Sequence, residues 1–196
     1  IALADLAIPG VRTYYVNAEA VTLLSGEMHP DRGAPVQQYR KDGKDHLWIK
    51  FYDGTQTTTD PFVANYVSNA ERPYGPDRIG YGVAYAICTF LVNDELFGKW
   101  PEYGFALQSV RWYDPSRDSS VGGVGTQRWG DRSTWGGDGD NLPAVQAYNV
   151  MRGITFEGQW LYGLQNISAA QLPIAAAIEA INACREQIER EDGLEP

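Results

Sequence analysis

The sequence predicts an α+β domain: an antiparallel β-sheet core with Gly-rich loops, one short helix and one long C-terminal helix. Three observations lead there. Twelve Tyr and six Trp stand beside 21 Gly and 11 Pro in 196 residues, a mixture suited to short strands joined by many turns. Residues 47–52 and 83–92 carry the alternating or wholly apolar patterns of strands. Apolar residues at helical spacing gather after Asn141 and again after Ser168.

Within residues 12–24, Tyr14, Val16, Val21 and Leu23 predict one or two strands, and the Ala-Glu-Ala interruption at 18–20 also suits a helical turn. A Pro, Gly and charge cluster over 28–35 reads as a loop. Lys41-Asp42-Gly43-Lys44 is a hairpin-type turn, with Gly where positive φ is required. The strand that follows points Leu47, Ile49 and Phe51 one way and Trp48, Lys50 and Tyr52 the other. Residues 55–60, polar and β-branched, extend it as an exposed continuation or edge strand. Residues 61–70 fit a short helix or a strand equally, and 73–82 form a turn-rich loop.

From 83 to 92 both alternating sets are apolar, so this strand has neighbours on both faces. Tyr85, Ile87 and Phe90 are its core candidates. After a helical turn at 93–98, a second strand over 105–112 contributes Leu107 to the core. Adjacent in sequence, the two strands are expected to pair antiparallel.

Asp114-Pro115 ends that strand, because proline restricts its predecessor and removes a ladder donor. Residues 119–139 are too Gly-rich and polar for a core element, so Trp129 and Trp135 serve as anchors that pack the loop back. Asn141 followed by Pro143 starts a helix. Its buried face holds Val145 and Tyr148, and Gly153 ends it. Residues 154–162 read as a short strand or hairpin. Ser168 and Gln171 stand at capping-box spacing before Pro173. Ile174, Ile178, Ile181, Cys184 and Ile188 then form the stripe of the long helix, before a charged tail.

Length fits one domain over 1–196, with 1–44 as a loosely attached N-terminal β segment. The chain opens on Ile rather than Met, which suits a piece excised from a larger polypeptide. A net charge of -9 argues against attraction to nucleic acid or anionic membrane. The longest apolar run falls well short of the ~20 residues of a membrane-spanning helix. Cys88 and Cys184 lack metal or redox spacing and read as two buried, reduced thiols.

No catalytic residue, metal ligand or cofactor site is assigned. The nucleophile motifs that need a partnered His or Lys are absent, and His29 and His46 have no ligand-spaced neighbours. Asp114, Asp118 and Asp131 lie near aromatics, as glycosidase carboxylates do, yet loop carboxylates more often cap turns. Asp138-Gly139-Asp140-Asn141 lacks the full calcium-loop pattern and is read as a turn with a helix cap. The residues singled out for interaction are Arg117, Arg128, Trp129, Asp131 and Trp135.

One ordered set of residues resembles a known family. It runs from the 85–92 strand through Leu96-Phe97 and Pro101 to Val110-x-x-Tyr113-Asp114-Pro115-x-Arg117. It continues with Gly125-Thr126-Gln127-Arg128-Trp129-Gly130-Asp131, then Asn141-x-Pro143-Ala144-Val145 with Tyr148-Asn149 and Arg152-Gly153-Ile154. It closes on Leu172-Pro173 and Asn182-Ala183-Cys184. From about Leu47 onward the chain is similar to the tail tip attachment proteins of lambda-like siphophages, the host-specificity or J proteins, in a region inserted in the tail hub.

The resemblance implies a structural virion component at the phage tail tip, made in the bacterial host cytoplasm. Its implied partners are the other tail proteins of hub, tube and tip, in a trimer of the full-length protein, with a host surface receptor or glycan as a further partner. It implies no enzyme activity, no nucleic-acid binding and no membrane insertion. A second class is motivated by the Trp- and Tyr-rich loops and their carboxylates: a domain that binds or cleaves bacterial surface carbohydrate.

Overall fold

The computed structural model describes residues 1–108, 110–156, 158–165 and 167–186. Ser109, Glu157, Ile188 and the charged tail after Ile188 lie outside the described residues. The fold is α+β, with antiparallel sheets, a short helix and a longer helix near the C-terminus. Where the sequence pattern gives one domain, the chain divides into two compact units, Ile1–Gln108 and Ser109–Pro196.

The first unit is built from short strands: β1 (Ala2–Ala4), β2 (Val11–Val16), β3 (Glu19–Val21), β4 (Ala34–Pro35), β5 (Arg40–Lys41), β6 (Lys44–Asp45), β7 (Leu47–Tyr52), β8 (Ala84–Phe90) and β9 (Tyr103–Leu107). They assemble as a four-stranded sheet in the order β1-β8-β7-β4, a three-stranded sheet β3-β2-β9, and the small hairpin β5-β6. That hairpin turns through Asp42 and Gly43, both with positive φ (50° and 72°), as a two-residue loop of this twist demands. Inward residues of β7 and β8 (Leu47, Ile49, Ala86) share one core with Val16, Val36 and Phe97, while Tyr14, Cys88, Tyr103 and Phe105 pack around it.

Several sequence expectations are corrected here. The strand at 84–90 does not pair with its successor: β8 lies between β1 and β7, and β9 pairs with β2. The connection over 91–102, turned by the Asn93 side chain, carries the chain to the other sheet, where Tyr103 and Phe105 join the core. Residues 110–112 are not strand, because Trp112 donates its N–H to the Asp140 carboxylate (2.9 Å) instead of a ladder carbonyl. The 18–20 interruption is a hairpin turn with positive φ at Asn17 and Ala18, joining β2 to β3. Within the expected 28–35 loop, β4 pairs with β7. Residues 1–44 supply β1, β2 and β4, each hydrogen-bonded to a later strand, so they are integral to this unit rather than loosely attached.

Residues 55–60 form no strand either. Asp60 is fully buried and accepts from Lys50 Nζ (2.6 Å), Tyr52 Oη (2.6 Å) and the Val63 N–H (2.8 Å), which folds the segment back over the outer face of β7. The ambiguous segment after it holds a π-helical turn, Val63–Val67. Tyr85, Ile87, Phe90 and Leu107 are half-buried, whereas the small Ala84 and Ala86 are fully enclosed. Close sheet packing favours the small set on β8, a preference that apolarity alone does not reveal.

The second unit contains α1 (Pro143–Arg152), the hairpin β10 (Ile154–Phe156) and β11 (Gln159–Tyr162), and α2 (Ile174–Arg185). Pro143 occupies the first turn of α1, where its missing N–H is not needed. Leu142 rather than Asn141 precedes that turn and makes no side-chain cap, since Asn141 ends a 3-10 turn over Asp138–Asn141. Val145, Tyr148 and Asn149 are buried together at helical spacing. Gln171 Oε1 accepts from both Ser168 N–H and Oγ (2.9 Å each), which orders the approach to α2. In α2 only Ile181 is fully buried; Ile178 is half-buried and Cys184 exposed, because the packed seam is narrow. Cys184 is therefore not the buried thiol expected, and Cys88 is intermediate.

Candidate functional site

Residues 113–141 of the second unit run through a series of 3-10 turns, three of them started the same way. Asp114, Asp118 and Asp131 each stand two residues before a Ser. In each case Oδ1 accepts both the Ser N–H and the Ser Oγ, at 2.9 and 2.7 Å for Ser116, 2.8 and 2.6 Å for Ser120, and 3.0 and 2.6 Å for Ser133. Asp side chains favour this turn because their oxygens mimic a backbone carbonyl. Asp114 and Asp118 are also almost wholly buried (1% exposed each), so their remaining oxygens need partners. Asp114 Oδ2 takes the Arg185 guanidinium. Asp118 Oδ2 takes Tyr113 Oη (2.7 Å), and its Oδ1 also takes Arg128 Nη1 (3.0 Å).

Burial by itself pushes the Asp118 carboxyl up, but the bonds from Ser120, Tyr113 and Arg128 outweigh it and hold the group below the usual aspartate range. The Tyr113 hydroxyl is pushed well above its ordinary value by burial and by the Asp118 carboxylate it donates to. Its backbone is held by side chains. Asn149 Oδ1 accepts from Tyr113 N–H (3.2 Å), and Asn149 Nδ2 donates to Tyr113 C=O (2.7 Å). Gln127 similarly accepts from Asp114 N–H (2.8 Å) and donates to Gly136 C=O (2.9 Å).

Over this network lies an aromatic cluster. The Tyr113 ring meets Trp129 edge-on (5.2 Å between centroids), and Trp129 lies 5.1 Å from Trp135. Arg152 stacks its guanidinium 4.0 Å from the Trp129 centroid, and Arg132 stands 5.1 Å from that of Trp135. Trp135 Nε1 donates to the Arg128 carbonyl (2.9 Å). Both indoles are half-buried, so they anchor the loop as expected and keep part of their surface open.

The five predicted interaction residues do not converge on one spot. Trp129 and Trp135 touch. Arg128 turns inward to Asp118 and to the Gly125 and Gln127 carbonyls. Arg117 pairs with Asp138 (2.5 Å) at the surface. Asp131 is exposed and engaged with Ser133. Asn149 and Gln127, which with Arg185 hold the network together, belong to the residue set behind the resemblance, but no local pattern marks their role; Arg185 has no such signal, and the threefold Asp-x-Ser spacing is visible in the sequence.

Chemically, the arrangement presents half-open indoles and guanidiniums over a hydrogen-bonded base. Its carboxylates are committed to donors within the chain. Asp138 faces the guanidiniums of Arg117 and Arg185, and Asp140 accepts from Trp112 and Gly137 N–H groups, so both acids of the 138–141 turn have partners within the chain. Among the described residues no group of three or more His, Cys, Asp or Glu is placed to hold a metal ion, and no helix is long and apolar enough to cross a membrane. Compared with protein-family models, curated proteins and solved structures, the chain gives no match.

Proposed function

We propose that the chain is a structural domain of a phage tail tip attachment protein, linking the tail hub to neighbouring tail proteins and to the receptor-binding apparatus. The single observation that carries the reading is the fate of the residues behind the resemblance. Tyr113, Asp114, Gln127, Arg128, Trp129, Asn149 and Arg152 are all engaged in bonds and ring contacts within one loop and from it to α1 and α2. A set spent on internal bonds suits a scaffold. The competing glycosidase reading needs two carboxylates with free oxygens facing a common cleft, whereas Asp114 and Asp118 have each oxygen engaged by a donor of the chain.

Immunogold electron microscopy of phage particles from the source culture, with antibody against this chain, tests the proposal. Label confined to one end of the tail is the expected result. Absence of the chain from purified particles, together with glycan binding that Trp129→Ala or Trp135→Ala abolishes in a folded protein, would move the function to carbohydrate recognition.

A further inference from the structure

Between β7 and β8 the chain makes a long excursion over 55–79 that contains no strand and only the π-helical turn Val63–Val67. Connections longer than about 15 residues with so little regular structure are uncommon in compact domains and often serve as lids. The two ends of this one are tied together. Gly82 N–H donates to the Gly54 carbonyl (2.9 Å). The Gln56 carboxamide accepts from Gly54 N–H (3.0 Å) and donates to the carbonyls of Gly80 and Val83 (3.1 Å to Val83). Gly80, at a φ of 72°, also lets the neck lie on the Tyr85 ring, which a Cβ there would meet at 2.9 Å.

Beyond the neck the segment bonds to itself. Thr59 Oγ1 donates to the Arg78 carbonyl (3.0 Å), Tyr74 N–H to Ser68 Oγ (2.8 Å), Ala64 N–H to the Asp60 carbonyl (3.0 Å) and Ser68 N–H to the Val63 carbonyl (2.9 Å). Against the sheet it is held by one side chain. Of residues 55–79 only Asp60 is buried, the others being half-buried or exposed. Among the described residues, every hydrogen bond or ion pair from 55–79 to a strand ends on Asp60 Oδ2, which takes Lys50 Nζ and Tyr52 Oη at 2.6 Å each. Its Oδ1 takes Val63 N–H (2.8 Å), so the same carboxylate holds the start of the π-helical turn.

We propose that residues 55–79 are a latched lid: the segment swings off the outer face of β7 and β8 as one piece when Asp60 lets go, uncovering Lys50, Tyr52 and Tyr85 while the sheet stays folded. A segment with no buried apolar residue has little packing of its own to hold it down, which is the mark of a region that opens before the rest. Its anchor is a charge, and an enclosed carboxylate that loses its donors is driven out to water. Under the lid Tyr52 and Tyr85 stack at 4.7 Å, and the Tyr85 hydroxyl is enclosed with no hydrogen-bond partner among the described residues. Opening returns that hydroxyl to water and offsets part of the loss of the latch.

Native-state hydrogen exchange of the intact chain, resolved by residue, tests the lid, which is independent of the tail-tip reading. In the wild-type protein the Ala64 and Ser68 amides should be protected, yet exchange with a urea dependence no more than about half that of the amides joining β7 to β8, because opening the lid exposes less surface than unfolding the sheet. In Asp60→Asn the same two amides should exchange at least about tenfold faster than in the wild type, while those joining β7 to β8 stay protected. The wild-type arm reads the lid even if the variant fails to fold. Ala64 and Ser68 amides that open only together with the sheet, at the same urea dependence, would overturn the proposal. So would a lack of protection there in the wild type, or full protection there in a folded Asp60→Asn.

Discussion

The Asn149 carboxamide serves Tyr113 as a substitute strand: it accepts the Tyr113 N–H at 3.2 Å and donates to the Tyr113 carbonyl at 2.7 Å, across 36 residues of sequence. Both partners are buried, and the same Nδ2 also bonds the Val145 carbonyl one helical turn back (2.8 Å). Asn149→Leu, close in volume, leaves two backbone groups without partners in a dry interior. A buried unsatisfied group costs about 1–3 kcal/mol, so a loss of about 2–5 kcal/mol is expected. Asn149→Asp keeps the acceptor but sets a carboxylate against the Tyr113 carbonyl, and destabilises too. Urea titrations followed by tryptophan fluorescence measure both. A loss under about 1 kcal/mol for the Leu variant would show that the pairing is incidental.

The two arginine pairs that reach the 113–141 loop differ in worth. Arg185 contacts the enclosed Asp114 carboxylate, whereas Arg117 meets Asp138 where both side chains are open (40% and 59%). Removing one partner of a buried pair strands the other's charge, while an exposed pair contributes about 0–1 kcal/mol. Arg185→Met is therefore expected to cost about 2–4 kcal/mol, and Arg117→Met under about 1 kcal/mol. Chemical denaturation of the two variants side by side gives the ranking, and equal losses would contradict it.

Acid should loosen both units through specific carboxylates. Burial raises the Asp60 carboxyl, but bonds from Lys50, Tyr52 and Val63 N–H overcome that and leave it below the ordinary aspartate value; Asp118 follows the same pattern with its own donors. A depressed folded pKa means that the unfolded chain takes up protons first. The stabilisation is thus fully present above the unfolded value of about 3.9 and is lost as pH falls through the lower folded values. Thermal melts at a series of pH values should show a steep decline below about pH 4. Asp60→Asn should flatten that slope while lowering stability at neutral pH. An unchanged slope in this variant would remove Asp60 from the account.

How much of this was legible beforehand depends on where the bonding information resides. Local patterns sufficed for β7 and β8, for the Asp42-Gly43 turn, for Pro143 at the start of α1 and for the β10–β11 hairpin, since periodicity, proline and glycine act over a few residues. The partner of β8 was not legible, because pairing is decided by which faces fill a shared core. The ends of β9 were missed for a related reason: Asp140 and Asn149, far along the chain, take over the backbone donors of Trp112 and Tyr113. Trp129 and Trp135 could be read as anchors because large aromatics in a polar loop have few other uses. The commitment of Asp114 to Arg185, 71 residues away, could not be read at all.

Thiol chemistry separates the two cysteines. Cys88 sits on β8 against the core, where burial pushes its thiol up to about 12. Cys184 is exposed on α2. Because the thiolate is the nucleophile, a disulfide reagent at neutral pH should modify one thiol quickly and the other only as the first unit opens. Cys184→Ser should abolish the fast phase, and Cys88→Ser should leave it intact. Denaturant below the unfolding midpoint should accelerate only the slow phase. Two equally fast thiols in the native protein would place Cys88 outside the core and, with it, the packing of β8 on the inner face of the sheet.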